Sequence, residues 1–301
     1  MTGHDAGQNV GQEISGTHHF LPLVSRKPVI MGVVNVTPDS FSDGGKFSNV
    51  DKAIAHGLQL LKEGADILDI GGESTRPGAE VVDIEEEIAR VVPVIEGLRG
   101  QAKNISIDTR NARVMEAALK VGATSVNDIS GLGHDPDSVS VVAQAKVPVF
   151  LMHSQGVPQD MQDNPNYNNV VEDVLDYFKG RIEWCRTHRV ETDMLVCDPG
   201  VGFGKTLEHN LLLLRNIKEF HALGVPILLG TSRKSFIPKV MDEVLGIGDN
   251  GDPSDDPLTG RLGGSLSSVL WGRSQGVQMF RVHDVKETRQ AFTVYDAIAN
   301  S

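Results

Sequence analysis

The feature that most restricts how this chain can fold is a repeat. From residue 28 onward, short apolar runs rich in β-branched residues alternate with longer segments whose apolar positions recur every three or four residues. Eight such runs open near Val29, Ile67, Asn104, Ser125, Val147, Met194, Pro226 and Val277. They recur about every 35 residues, close to the roughly 30 per unit of an eightfold barrel of about 250 residues. Helical spacing fills 51–62, 84–98, 111–120, 170–188, 207–220 and 259–274. Within a run the apolar residues are consecutive, not alternating, the pattern of parallel strands covered on both faces. Evenly spaced strand–helix units of this number predict a single-domain (β/α)8 TIM barrel, with a doubly wound open sheet as the alternative.

Three hundred and one residues, 40% of them apolar, suffice for one large core. Residues 1–27, with Gly, Gln and His and little apolar content, read as a flexible N-terminal extension ahead of a barrel spanning 28–301. The stretch 237–257 is acidic and rich in Gly and Pro, and the expectation is a mobile, unpacked excursion after the seventh strand. A net charge of -12 repels a phosphate backbone and argues against a general nucleic-acid binder. Cys185 and Cys197 are too few for a disulfide framework and lack zinc-binding spacing. No apolar run reaches the roughly 18 residues of a membrane span, and residues 1–20 lack the order of a signal peptide. A soluble cytoplasmic protein is the expectation.

Polar residues gather at the carboxyl end of each run: Asn35 and Thr37, Asp69, Asp108, Asn127 and Asp128, His153, Asp198, Ser232 with Arg233 and Lys234, then Arg281 and His283. Buried strand ends hold such groups only when their hydrogen bonds are satisfied, and barrels of this class do chemistry at that mouth. Taken singly, Asp69, Asp128 and Thr109 read equally well as caps of the helices after them. Residues 37–46 and 71–80 are Gly-, Pro- and Ser-rich yet carry charged side chains, which suits lids. The run 200–206 (GVGFGKT) suggests a phosphate loop, but Pro199 and Lys205 stand where that motif and the dinucleotide motif need glycines.

Eight stretches carry a more specific signal: 31–45 (MGVVNVTPDSFSDGG), 69–78 (DIGGESTRPG), 107–109 (IDT), 127–130 (NDIS), 152–158 (MHSQGVP), 198–206 (DPGVGFGKT), 230–235 (GTSRKS) and 281–285 (RVHDV). In these the chain resembles the bacterial dihydropteroate synthases. The resemblance implies condensation of 6-hydroxymethyl-7,8-dihydropterin diphosphate with p-aminobenzoate to give 7,8-dihydropteroate and diphosphate, in folate biosynthesis, by an SN1-like route. Asp108, Asn127, Met152, Asp198 and Lys234 are then the pterin floor, and Asp108, Lys234, Arg281 and His283 the catalytic set. Asn35, Arg281 and His283 are assigned to the diphosphate, with Asn35 also holding a Mg²⁺ cofactor. Asp39, Phe41, Ser74, Thr75, Arg76, Pro77, Phe203 and Ser235 are assigned to the p-aminobenzoate pocket and its lids. His153 is expected to be structural. The resemblance also implies small-molecule substrates, a sulfonamide target and a homodimer paired through outer helices. Two alternatives are a methyltetrahydrofolate-dependent methyltransferase, which has no use for the 37–45 and 74–78 loops or the Arg-x-His pair, and a non-catalytic pterin-binding paralogue.

Overall fold

The computed structural model describes residues 27–37, 46–74, 81–156, 161–246 and 259–301. Eight strands run through them: β1 (Val29–Asn35), β2 (Ile67–Gly71), β3 (Ile105–Asp108), β4 (Ser125–Asp128), β5 (Val149–Met152), β6 (Leu195–Asp198), β7 (Leu228–Leu229) and β8 (Met279–Val282). Among the described residues the helices are α1 (Lys46–Glu63), α2 (Ile84–Leu98), α3 (Ala112–Val121), α4 (Ser138–Ala145), α5 (Val170–Thr187), α6 (Leu207–Arg215), α7 (Phe236–Leu245), α8 (Leu262–Ser274) and α9 (Val285–Ala299). All ladders are parallel, in the order β6-β5-β4-β3-β2-β1-β8-β7. The ring closes between β6 and β7 by a single bridge, Cys197 to Ile227, where the Cys197 N–H donates to the Pro226 carbonyl at 3.0 Å. The fold is therefore the expected (β/α)8 barrel.

Successive residues of a strand face opposite sides, so every other residue shares a surface. One parity builds the interior: Val29, Met31, Ile67, Phe150, Val196, Leu228 and Met279 form a separate buried cluster inside the ring. The other parity, including Ile30, Val34, Leu68, Ile70 and Ile107, packs outward under the helices as the main core. Both faces being apolar explains the consecutive apolar runs. Moving two residues at a time from the interior cluster towards the strand ends leads from Met31 to Val33 and Asn35, from Ile67 to Asp69 and Gly71, and from Phe150 to Met152. The same steps lead from Val196 to Asp198 and from Met279 to Arg281. The polar mouth thus stands directly over the apolar plug, on the same faces of the same strands.

Helix starts obey capping chemistry. Asp83 accepts from the Glu85 N–H ahead of α2, Asn169 from the Val171 and Glu172 N–H groups ahead of α5, and Thr206 with His209 closes a capping box on α6. Two expectations need correction. The stretch 237–257 does pack over its first part: Phe236–Leu245 is helix α7, with Phe236 and Ile237 buried. The apolar residues Ile237, Val240, Met241 and Val244 recur at helical spacing, and Gly246, at φ +64°, ends the helix by donating to the Asp242 carbonyl. Residues 247–258 lie outside the described residues, as do 1–26. The helical stretch 207–220 breaks after Arg215 and continues as a tighter 3-10 turn over Ile217–Leu223.

Candidate active site

The strand ends bring distant residues onto one set of contacts. Arg281, on β8, donates from Nε to Asp69 Oδ2 at 2.6 Å and from Nη2 to Asp108 Oδ2 at 2.7 Å. Asn127, on β4, donates from Nδ2 to the same Asp69 oxygen at 3.0 Å. Across the mouth, Asp198 Oδ1 accepts the Gly200 N–H at 2.8 Å, and Lys234 Nζ donates to the Val201 carbonyl. These two halves meet: a β-carbon built on Gly230 would lie 3.5 Å from Asp198 Oδ2 and 3.8 Å from both Lys234 Nζ and Arg281 Cβ. Asp69, Asp108, Asn127 and Asp198 are all at least nine-tenths buried. Met152 is buried beside them at the end of β5.

Burial dominates the protonation equilibria. It pushes Asp108 up to about 7 against the pull of Arg281, with Asp69 adding to the rise. It raises Asp198 too, opposed by Lys234 and by the Gly200 N–H. Burial draws Lys234 down to about 8, against the attraction of Asp198. For Arg281 burial works against the charge, but Asp69 and Asp108 prevail and hold the guanidinium above its ordinary value. Burial thus disfavours the ionised forms of Asp108, Asp198 and Lys234, whereas Arg281 keeps its charge through Asp69 and Asp108.

The remaining assigned residues are distributed around this centre. Asn35 ends β1, and its Oδ1 and the Asp108 carboxylate face the same point above Gly71, each within 4 Å of where a β-carbon would stand. His283, two residues beyond Arg281, meets Ser232 Oγ through its Nδ1 at 3.1 Å. The Arg281 guanidinium turns inward to two carboxylates, whereas the sequence predicts it joining His283 toward an anion. Phe203 lies under Lys234, whose Nζ is 4.5 Å from the ring centroid. Ser235 is exposed at the start of α7, and Ser74 comes after β2. Asp39, Phe41, Thr75, Arg76 and Pro77 lie outside the described residues.

Five residues, Asp69, Asp128, Thr109, Arg233 and Lys205, play parts that sequence reasoning did not settle or did not see. Asp69 is no helix cap; it is fully buried and ties Arg281 to Asn127. Asp128 does take the local part, accepting the N–H groups of Ser130 and Leu132, and Thr109 accepts that of Asn111. Arg233 pairs with Asp284. Lys205, noted in the sequence only for breaking a glycine motif, is 2% exposed and donates to His153 Nδ1 at 3.0 Å, His153 O at 3.3 Å and Phe203 O at 2.9 Å. Burial pulls it down to about 7, helped by Lys234, and holds His153 neutral by lowering it to about 3. His153 is therefore structural, as expected: it joins the loop after β5 to the loop after β6. The one signal for Lys205 was its place inside a glycine run that folds back on a strand end. Gly200 (φ +70°) shows how close that return is, since a β-carbon there would collide with the His153 carbonyl.

A parallel barrel whose mouth gathers buried carboxyl groups, an amide and two cations can hold a small polar ligand that presents both donors and acceptors. The pterin binding enzyme family matches the chain over residues 31–283, which contain every one of those groups. The dihydropteroate synthase of Neisseria meningitidis serogroup C is 46% identical over 276 residues, covering 90% of this chain and 93% of its own. The solved Xanthomonas albilineans dihydropteroate synthase with 4-aminobenzoic acid superposes with a TM-score of 0.82 at 43% identity, covering 92% of this chain and 94% of its own. The Yersinia pestis dihydropteroate synthase, solved in a sulfonamide drug complex, gives 0.83 at 40% identity and covers 92% and 96%. The chain belongs to the dihydropteroate synthase family, and it is a transferase.

Proposed function

We propose that this barrel joins 6-hydroxymethyl-7,8-dihydropterin diphosphate to p-aminobenzoate, releasing diphosphate and forming 7,8-dihydropteroate. The observation that carries this reading is the meeting of Asp198, Lys234 and Arg281 around Gly230, with Asp108 and Asn127 joined to Arg281 through hydrogen bonds and Asp69. Asp198 accepts the paired N–H groups of the aminopyrimidinone edge, as a carboxylate accepts from arginine. Asn127 supplies both a donor and an acceptor, and Lys234 donates to the ring carbonyl or a ring nitrogen. Loss of diphosphate leaves a cation spread over the ring and its methylene carbon. Asp108 is the group that answers it: burial holds this carboxyl near 7, so much of it is ionised at neutral pH, and the ionised form stabilises positive charge forming beside it. Arg281 and His283 are the groups proposed to take up the departing diphosphate.

Asn35 is the residue that would hold a Mg²⁺. Among the described residues no group of three or more His, Cys, Asp or Glu is placed to cage a metal ion, so a single amide oxygen fits an ion that arrives with the substrate phosphates and keeps its waters. When bound, it supplies neutralisation of the leaving group. The amine of p-aminobenzoate is neutral and nucleophilic at pH 7 and needs orientation, not a base. Phe203, placed over Lys234, and Ser235 with the 74–77 segment are the groups proposed to orient it, and the X. albilineans relative carries 4-aminobenzoic acid. A sulfonamide is proposed to compete for that pocket.

We further propose a homodimer in the cytoplasm. Neighbouring helices α6, α7 and α8 leave Leu211, Met241, Val244, Leu245 and Trp271 exposed, an apolar face that a second copy would cover. Cys185 and Cys197 are both free and buried, in keeping with a reducing compartment, and no helix among the described residues is long and apolar enough to cross a membrane. The decisive assay measures diphosphate release from the pterin substrate with and without p-aminobenzoate and Mg²⁺. Absence of dihydropteroate under all conditions would refute the reaction, and light scattering at monomer mass would refute the dimer.

A further inference from the structure

Each strand presents a last inward-facing position at its carboxyl end, read from the alternation of side chains along the strand. Asn35, Asp108, Asn127, Met152, Asp198 and Arg281 fill six of them on β1, β3, β4, β5, β6 and β8. The two left without a side chain are Gly71 at the end of β2 and Gly230 just after β7. Neither has a positive φ, so backbone geometry does not demand glycine at either place. Nor does packing. A β-carbon on Gly230 would find its nearest neighbours at 3.5 to 3.8 Å, and one on Gly71 would find Asp108 Cβ at 3.5 Å, Asp108 Oδ2 at 3.6 Å and Asn35 Oδ1 at 3.8 Å. These are ordinary contact distances, which the surrounding side chains tolerate without moving. Other glycines differ: at Gly97, Gly264 and Gly272 a β-carbon would overlap a packed neighbour.

We infer that Gly230 and Gly71 are specificity-determining positions, whose missing side chains leave the slot that a flat bicyclic pterin enters. The inference rests on the proposed reaction and deepens it. Asp198 Oδ2 and Lys234 Nζ both lie within 4 Å of the point a Gly230 methyl would occupy. A ring atom hydrogen-bonded to either must approach to about 2.7–3.2 Å, and a ring needs roughly 3.5–4.0 Å between its carbons and any methyl group. A ring that engages both groups at once has no room left for that methyl. Gly71 acts at the opposite wall, where Asn35 and Asp108 face the same volume. Recognition here depends on two absent groups as much as on the present ones.

The test is calorimetric titration of 6-hydroxymethylpterin into wild type, Gly230→Ala and Gly71→Ala, alongside thermal unfolding of each. Gly230→Ala is expected to bind the pterin roughly tenfold to a hundredfold more weakly, the effect of overpacking by one methyl. Its melting temperature is expected to match or slightly exceed wild type, because alanine at a permitted φ restricts the unfolded chain. Unchanged pterin affinity in a folded Gly230→Ala protein would overturn the inference. A Gly230→Ala protein that loses affinity and melting temperature together would also overturn it, since glycine would then be serving the fold. Gly71→Ala carries the same two readouts if Gly230→Ala fails to express. Wild type that does not bind the pterin would defeat the proposed reaction itself, an outcome distinct from either.

Discussion

Replacing Asp69 by Asn tests the electrostatic reading of the mouth most sharply, because it removes one charge and nearly no volume. Asp69 is fully buried, accepts from Arg281 at 2.6 Å and from Asn127 at 3.0 Å, and adds to the upward pressure on Asp108. Two effects result, and both have the same sign. Loss of a like charge lowers the Asp108 equilibrium, and Arg281, deprived of one carboxylate, spends its attraction on the other. Together these bring Asp108 down by about one unit or more from its wild-type position near 7, each unit being about 1.4 kcal/mol. The assay is kcat/KM for the pterin diphosphate against pH, which reports groups on the free enzyme. Wild type is expected to lose activity as Asp108 protonates on descending through about 7. The Asp69→Asn limb is expected at lower pH, with a reduced plateau because Arg281 and Asn127 are less firmly held. A limb that stays in place or moves to higher pH would refute the coupling between Asp69 and Asp108.

Asp198→Ala removes the carboxylate proposed to accept the paired ring donors and leaves Lys234 buried without its attraction; pterin binding by calorimetry is expected to fall by about 2–3 kcal/mol, or 30- to 150-fold. Arg281→Ala is expected to weaken inorganic diphosphate binding far more than binding of a pterin lacking phosphate, and equal losses would count against its assignment. Lys205→Met breaks the hydrogen bonds that join His153 to the Phe203 loop; KM for p-aminobenzoate is expected to rise about tenfold with pterin affinity kept, and Lys205→Arg to recover part of it. Asp108 also makes a stability prediction. Its folded value exceeds its unfolded one, so the native state binds the proton more tightly, and this stabilisation is lost as pH rises from about 4 through about 7. Asp108→Asn is expected to flatten that part of the unfolding free energy measured by denaturant titration, and an unaltered slope would contradict the burial argument.

How far the sequence disclosed this molecule depends on which forces act locally. The strand–helix repeat is a local signal, set by burial on both faces of each strand, and all eight runs hold strands. Run seven yields only Leu228–Leu229, because Pro226 lacks an N–H and Gly230 ends the apolar stretch. Helix α7 was hidden by the composition of its C-terminal neighbours: Gly and Asp beyond Leu245 masked the helical spacing before it. The gathering of Asp108, Asn127 and Asp198 at one buried mouth was legible because polar groups at buried strand ends are costly without a purpose. Asp69 and Lys205 were not, since each works through partners 58 to 212 positions away along the chain, or across two loops that only the closed barrel brings together.

The inward parity of the strands explains why a plug and a pocket coexist in so small a cross-section. Val29, Met31, Phe150 and Val196 fill the lower interior, so the buried carboxyl groups above it, Asp69, Asp108 and Asp198, have little solvent to share their charge with. Five ionisable groups meet there, Asp69, Asp108, Asp198, Lys234 and Arg281, with the buried Lys205 near enough to act on Asp198, and burial raises Asp108 and Asp198 toward their neutral forms. The same burial that disfavours the ionised carboxylates in the free protein would magnify the gain from the ring cation proposed to form beside Asp108. The apolar plug is thus part of the chemistry: admitting water beneath Asp108, for instance by truncating Phe150, would weaken the stabilisation of the cation even with every polar residue in place.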